Sequence, residues 1–364
     1  LPVHRREEAN MVVLLCLLTV FATYAEENTP SAIEAPQEIL ALTPEIRAYL
    51  HERVSKNLSP HDKVMALIDV IFSEKGLGLT YGNHRTKTAV ETFASREGNC
   101  LSFTSLFVAM ARELGLPAQF QEVLNVSTYN KRGQVVINNK HMNALVMVNG
   151  RRMVVDFYPY ADRKQQMNRT LKDSLAFAHY YNNKGAEAFT LGSFDLAHAY
   201  FQKAAEVAPE FSRTFSNMGV LYKRLGEYEL AEQAYRQAIS LDREDYTAIS
   251  NLAQLYEALG KKDLAKELER KVERHRNRNP YYHYALGLEK YEEGRYRESL
   301  AHFQKASRLH PRESDFFHAM ARSHWQLGQS SEARRYLQLA ERFAMSDEER
   351  DRFHSKLDAL LAQQ

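Results

Sequence analysis

The chain has 364 residues, 44% of them apolar and 26% charged, with only 15 glycines and 10 prolines. This excludes disordered, collagen-like and low-complexity chains, and the length calls for two or three domains, each able to bury a core. A formal charge of +2 with no long basic stripe gives no ground for a nucleic-acid partner, and no apolar run reaches the ~18–20 residues a membrane span requires.

The N-terminus opens with an apolar run, MVVLLCLLTVFATYA (Met11 to Ala25), behind His4, Arg5 and Arg6. Thr23 and Ala25 are small residues at the spacing of a signal-peptidase site, and acidic, polar sequence follows from Glu26. The pattern reads as a secretory signal peptide over 1–25 and predicts an exported protein, periplasmic or secreted. Leu15 before Cys16 does not suit a lipoprotein site. Two cysteines exclude a disulfide scaffold, and removal of the leader leaves Cys100 as the lone thiol. A linker is expected over 26–36.

From about residue 37 the texture changes. Ile46, Leu50 and Val54, then Val64, Leu67, Ile68, Ile71 and Phe72, have helical spacing. A glycine-bearing loop (Gly76, Gly78, Gly82) follows, with His84 in it. Phe103, Leu106, Phe107, Met110 and Leu114 predict a buried amphipathic helix over 101–114, stopped by Gly115 and Pro117 and capped by Asn99. Cys100 then sits on its first turn. There, unpaired N–H groups and the positive helix end stabilise a thiolate and offer donors to an oxyanion. Segments 118–127, 141–148 and 151–157 read as strands, and Asn149-Gly150 is a hairpin turn. A two-residue hairpin pairs Val148 with Arg151 and, outward, Asn143 with Asp156. His141 shares the sheet face of Asn143, so His141 and Asp156 are diagonal neighbours within side-chain reach. A thiol, an imidazole and a carboxylate in that order are the parts of a cysteine acyl-transfer site.

The stretch from REGNCLSFTSLFVAMARELGLPA through HMNALVMV to VVDFYP resembles the transglutaminase-like superfamily. The resemblance implies an α+β fold of core helix and antiparallel sheet over 37–170. It also implies Cys100 as nucleophile, His141 as general base and Asp156 as the residue that orients the imidazole. Many members read His-Ala-Trp where this chain has His141-Met142-Asn143, so one wall of the usual site is not supplied; the single tryptophan, Trp325, lies far downstream.

The second half is periodic. Gly192, Gly226, Gly260, Gly294 and Gly328 recur every 34 residues, followed by small residues at 197, 231, 265, 299 and 333 and then by Ala204, Ala238, Val272, Ala306 and Ala340. Units such as LGSFDLAHAYFQKAAEVAP and EGRYRESLAHFQKASRLHP resemble the tetratricopeptide repeat. Five such helix pairs are expected over 171–345, making an all-α solenoid, with a capping helix over 346–364 that carries Phe353, Leu357, Leu360 and Leu361. Asn183, Asn217 and Asn251 also recur at 34. In tetratricopeptide families such a ladder lines the concave face, and a side-chain amide offers the donor and acceptor that a peptide backbone demands. The alternative is that these asparagines face solvent or bond the adjoining helix. Arg213, Lys223 and Arg224 add charge selection for acidic peptides.

The sequence therefore predicts an exported cysteine acyl-transfer enzyme with a repeat array that binds a protein or peptide. The other reading is a non-catalytic repeat assembly protein on a vestigial catalytic fold. No Cys/His metal spacing, phosphate-binding glycine loop or calcium loop occurs, so no cofactor and no metal are expected.

Overall fold

The computed structural model describes residues 33–82, 85–132, 135–157, 168–344 and 350–356. The leader, His84 and the segment 357–364 lie outside the described residues. The chain forms two compact units that divide between Asn251 and Leu252.

The first unit begins with helices α1 (Pro36–Ile39), α2 (Pro44–Arg53) and α3 (Pro60–Phe72). Each has proline in its first turn, where the missing N–H costs nothing. Thr43 and Ser59 cap α2 and α3 by accepting from Ile46 and Asp62 N–H. Strand β1 (Thr80–Tyr81), helix α4 (Ala89–Ser95) and strand β2 (Glu97–Gly98) follow, β1 and β2 pairing in parallel. Helix α5 (Cys100–Glu113) carries the core: Phe103, Leu106, Phe107 and Met110 are buried.

A four-stranded antiparallel sheet lies against it, built from β3 (Ala118–Arg132), β4 (Val135–Val148), β5 (Arg151–Val155) and β6 (Asn168–Leu171) in the order β5-β4-β3-β6. Asn149 and Gly150 turn the hairpin at φ 51° and 76°, and Val148 pairs with Arg151, the register the turn predicts. Ala118, Phe120, Met142, Ala144 and Val146 enter one core with Phe103 and Phe107.

Two features depart from the sequence expectation. The β3–β4 pairing continues out to Arg132 and Val135, through a register shift between Val123 and Ser127. Its outer part mixes polar residues with the run Val135-Val136-Ile137, so no clean apolar alternation marks it as strand. Residues 168–171, which no sequence pattern marked as strand, form the edge strand β6, which pairs with Phe120–Val123 of β3. Four residues are too few to show a period, and only the partner strand makes them extended.

The same unit continues into helix pairs: α6 (Asp173–Thr190) with α7 (Phe194–Val207), then α8 (Ser212–Leu225) with α9 (Tyr228–Leu241). Ala176, Tyr180 and Tyr181 of α6 are buried in the same core as α5 and the sheet. Helix α10 (Tyr246–Ala258) spans the division between units. The second unit holds α11 (Lys262–Arg276), α12 (Pro280–Glu292), α13 (Tyr296–Leu309), α14 (Ser314–Gln326), α15 (Ser330–Phe343) and helical residues 350–356. Phe353, fully buried, packs with Phe303, Phe317 and Met320, as a terminal cap requires.

The repeat obeys two steric rules. The glycines at 192, 226, 260, 294 and 328 end their helices at φ 73–84°, a left-handed conformation other residues resist. A second small position, not singled out in the sequence, faces the aromatic of the following helix sixteen residues on: Gly185 with Phe201, Gly219 with Tyr235, Gly287 with Phe303. A Cβ on Gly219 would lie 2.5 Å from a Tyr235 ring carbon. Where the partner is not aromatic, as at Glu269 and Leu337, the small residue is Ala253 and Ala321. Gly219→Ala is therefore expected to destabilise the chain by about 1–2 kcal/mol in urea unfolding: overpacking against a buried ring outweighs the ~1 kcal/mol gained in helix propensity.

Candidate active site

The first turn of α5 is held from several sides. Asn99 Oδ1 accepts from Ser102 N–H at 3.0 Å, and Ser102 Oγ donates to the same oxygen at 3.0 Å. Asn99 Nδ2 donates to Thr86 Oγ1 at 3.0 Å, and Lys87 N–H donates to Ser102 Oγ at 2.9 Å. Gly98 lets the preceding strand close on the helix; a Cβ there would stand 2.7 Å from that of Ser102. Cys100 is a reduced, partly exposed cysteine on this fixed turn.

His141 is buried on β4, and Asp156 is buried one residue past the end of β5, so the strand expected to run to 157 stops at Val155 and the ladder at Ala144–Val155. His141 Nε2 lies 2.6 Å from Asp156 Oδ1. Burial opposes the imidazolium, but hydrogen bonds to Asp156 and Cys100, with the charges of both, outweigh it and raise the His141 pKa to about 9. The Cys100 side chain hydrogen-bonds the same imidazole. Cysteine, histidine and aspartate thus meet as one hydrogen-bonded set.

Asn143 was not assigned a role from sequence, although the register placed it opposite Asp156. It is fully buried, and its Nδ2 donates to Asp156 Oδ2 at 3.2 Å. The carboxylate is thereby gripped at both oxygens, with the amide standing where many relatives carry tryptophan. Asn143 continues a polar row across the sheet, paired with Gln121, which is paired with Thr170 and donates to its Oγ1 at 3.3 Å.

The predicted peptide-binding residues fall differently. Asn183, Asn217 and Asn251 are half-buried and Arg224 is exposed. Asn217 Nδ2 donates to Asn182 Oδ1 on α6 at 2.9 Å, a bond to the adjoining helix. Arg213 Nη2 donates to Glu122 Oε1 at 2.9 Å, and Arg169 Nη2 donates to Glu122 Oε2 at 2.6 Å. Glu122 is 1% exposed, so Arg213 serves a buried carboxylate of the sheet. Burial alone would raise the Glu122 pKa; the charges of Arg213, His179 and Arg169 hold it below the usual range. Asn183 lies on α6, three residues after the buried Tyr180 and four before Glu187.

Glu187 was also missed. Its Oε1 accepts from Thr86 N–H at 2.7 Å. Burial raises its pKa, partly offset by the Thr86 hydrogen bonds and the charges of Lys184 and Arg85. Among the described residues no group of three or more His, Cys, Asp or Glu side chains could hold a metal ion, and no helix is long and apolar enough to cross a membrane.

The model of the transglutaminase-like superfamily matches residues 47–158. Tetratricopeptide-repeat models match residues 178–211 and 212–245, and the model of regulator of microtubule dynamics protein 1-3 matches residues 284–364. No curated protein matches the chain. Among solved structures, the MamA protein is 19% identical, with 46% of this chain and 91% of that one covered and a TM-score of 0.26. YrrB, described as a TPR protein with an unusual peptide-binding site, is 18% identical over 49% and 91%, with a TM-score of 0.27. PilF of Pseudomonas aeruginosa is 17% identical over 53% and 92%, with a TM-score of 0.29. The helix-borne cysteine, the strand-borne histidine, the aspartate just past the hairpin and the 34-residue helix pairs lead to one assignment: the chain carries a transglutaminase-like core domain over residues 47–158, followed by tetratricopeptide repeats.

Proposed function

We propose that the protein is an exported cysteine acyl-transfer enzyme acting on protein or peptide amides. The observation that carries the reading is the 2.6 Å bond between His141 and Asp156, with His141 also hydrogen-bonded to Cys100 at a helix N-terminus. The Cys100 thiolate attacks an amide carbonyl. N–H groups at the start of α5 receive the developing oxyanion. The imidazolium protonates the leaving amine as the C–N bond breaks, and a thioester remains on Cys100. Water or an amine then attacks the thioester, His141 takes the proton, and the thiolate leaves. Asp156, gripped by Asn143, keeps the imidazole oriented throughout. The tetratricopeptide repeats support protein or peptide binding, and the leader pattern supports action outside the cytoplasm.

The test is alkylation of Cys100 by iodoacetamide in a Cys16→Ser background, followed from acidic to mildly basic pH beside free cysteine. The expected result is a rate well above that of free cysteine at neutral pH. A rate no faster than free cysteine overturns the enzyme reading and leaves a repeat adaptor on a retired catalytic fold.

A further inference from the structure

Resting on the acyl-transfer reading, we infer that Glu187, on the first repeat helix, is a positioning residue for the Cys100 nucleophile, so that the catalytic unit includes the start of the repeat array. The connection is a chain of hydrogen bonds. Glu187 Oε1 accepts from Thr86 N–H at 2.7 Å, Thr86 Oγ1 accepts from Asn99 Nδ2 at 3.0 Å, and Asn99 Oδ1 accepts from Ser102 N–H at 3.0 Å. The last of these bonds is the cap of the helix that begins at Cys100.

Each link has a physical reason. Asn99 holds the cap only while its amide plane is fixed, and its Nδ2 is fixed by Thr86. Thr86, 2% exposed, stays in place while its own N–H has an acceptor. That acceptor comes from α6, 101 positions further along the chain. Lys87 N–H, one residue on, ties the same loop to Ser102 Oγ, so loop movement reaches the nucleophile turn by two routes. A cap that loosens releases N–H groups whose direction stabilises both the thiolate and the oxyanion. The neighbouring repeat is joined to the same domain in parallel, Arg213 of α8 reaching Glu122 on β3, the strand paired with that of His141.

Two substitutions separate positioning from mere folding. Glu187→Gln keeps an oxygen for Thr86 and removes the charge; Glu187→Ala removes the acceptor. In the full chain, Cys100 alkylation at neutral pH is expected to fall about tenfold in Glu187→Ala, the size of one lost hydrogen bond. Its rate–pH profile is expected to move to higher pH. Glu187→Gln is expected to restore both. Thr86→Val, which removes the Asn99 partner and keeps the N–H, is expected to reproduce the alanine effect and carries the test if Glu187→Ala does not fold. A lowered melting temperature with the rate and profile of wild type in Glu187→Ala and Thr86→Val overturns the inference. A wild-type Cys100 no faster than free cysteine overturns the acyl-transfer reading instead.

Discussion

In His141→Ala, alkylation of Cys100 near neutral pH is expected to run roughly tenfold to thirtyfold slower, because an isolated thiol there is only a few per cent thiolate. Turnover of an amide substrate is expected to fall about 10²–10⁴-fold, the loss of one positioned acid–base. The expectation follows from the bonds at the imidazole. Asp156 and Cys100 both favour the charged ring, which stays protonated to about pH 9 in the folded chain against 6.5 ordinarily. The sulfur therefore meets a cation throughout the neutral range. The same shift has a sign in stability. A raised folded-state pKa contributes stability that is complete below about pH 6.5, declines as pH rises and is gone above about pH 9. Wild type should lose stability over that window, and His141→Ala should lack that slope when denaturant midpoints are measured across it. An alkylation rate indifferent to His141 would count against the pair.

Arg213→Ala is expected to destabilise the chain by about 1–3 kcal/mol. Glu122 is buried, and the substitution leaves its carboxylate with Arg169, whose side chain is 55% exposed. The loss stays below the ~3–5 kcal/mol of a pair broken in the deep interior, because one partner remains and solvent screens both guanidinium groups. Here the pH dependence has the opposite sense. The folded Glu122 titrates below its ordinary value of 4.5, so its contribution is present above that pH and disappears as pH falls through the folded pKa. In Arg213→Ala the carboxyl loses its strongest charge partner, and acid unfolding should begin at higher pH than in wild type. Acid-unfolding midpoints followed by circular dichroism measure this. Unchanged midpoint and stability would mean that Arg213 does not hold the domain, and would return it to the peptide-selecting role read from its sequence position.

What the sequence determined by itself was local or periodic. Asn99, Gly115 and Pro117 mark the ends of the cysteine helix because capping and termination depend on residues a few positions apart. Asn149-Gly150 sets the pairing of β4 with β5, and with it the meeting of His141 and Asp156, because a two-residue turn permits one register. The repeats are legible because each left-handed glycine recurs at a constant interval. Only the tertiary structure decided the rest. β6 is a strand because β3 offers it an open edge, and its four residues carry no pattern of their own. Asn143 acquires a role only when Asp156 stands beside it. Glu187 carries no signal in the sequence, and Arg213 reads as a charge that selects acidic peptides, until the fold brings them to Thr86 and Glu122, 101 and 91 positions away. Bonds over such separations leave no period in the chain, because the only rule they obey is that a buried donor or carboxylate needs a partner.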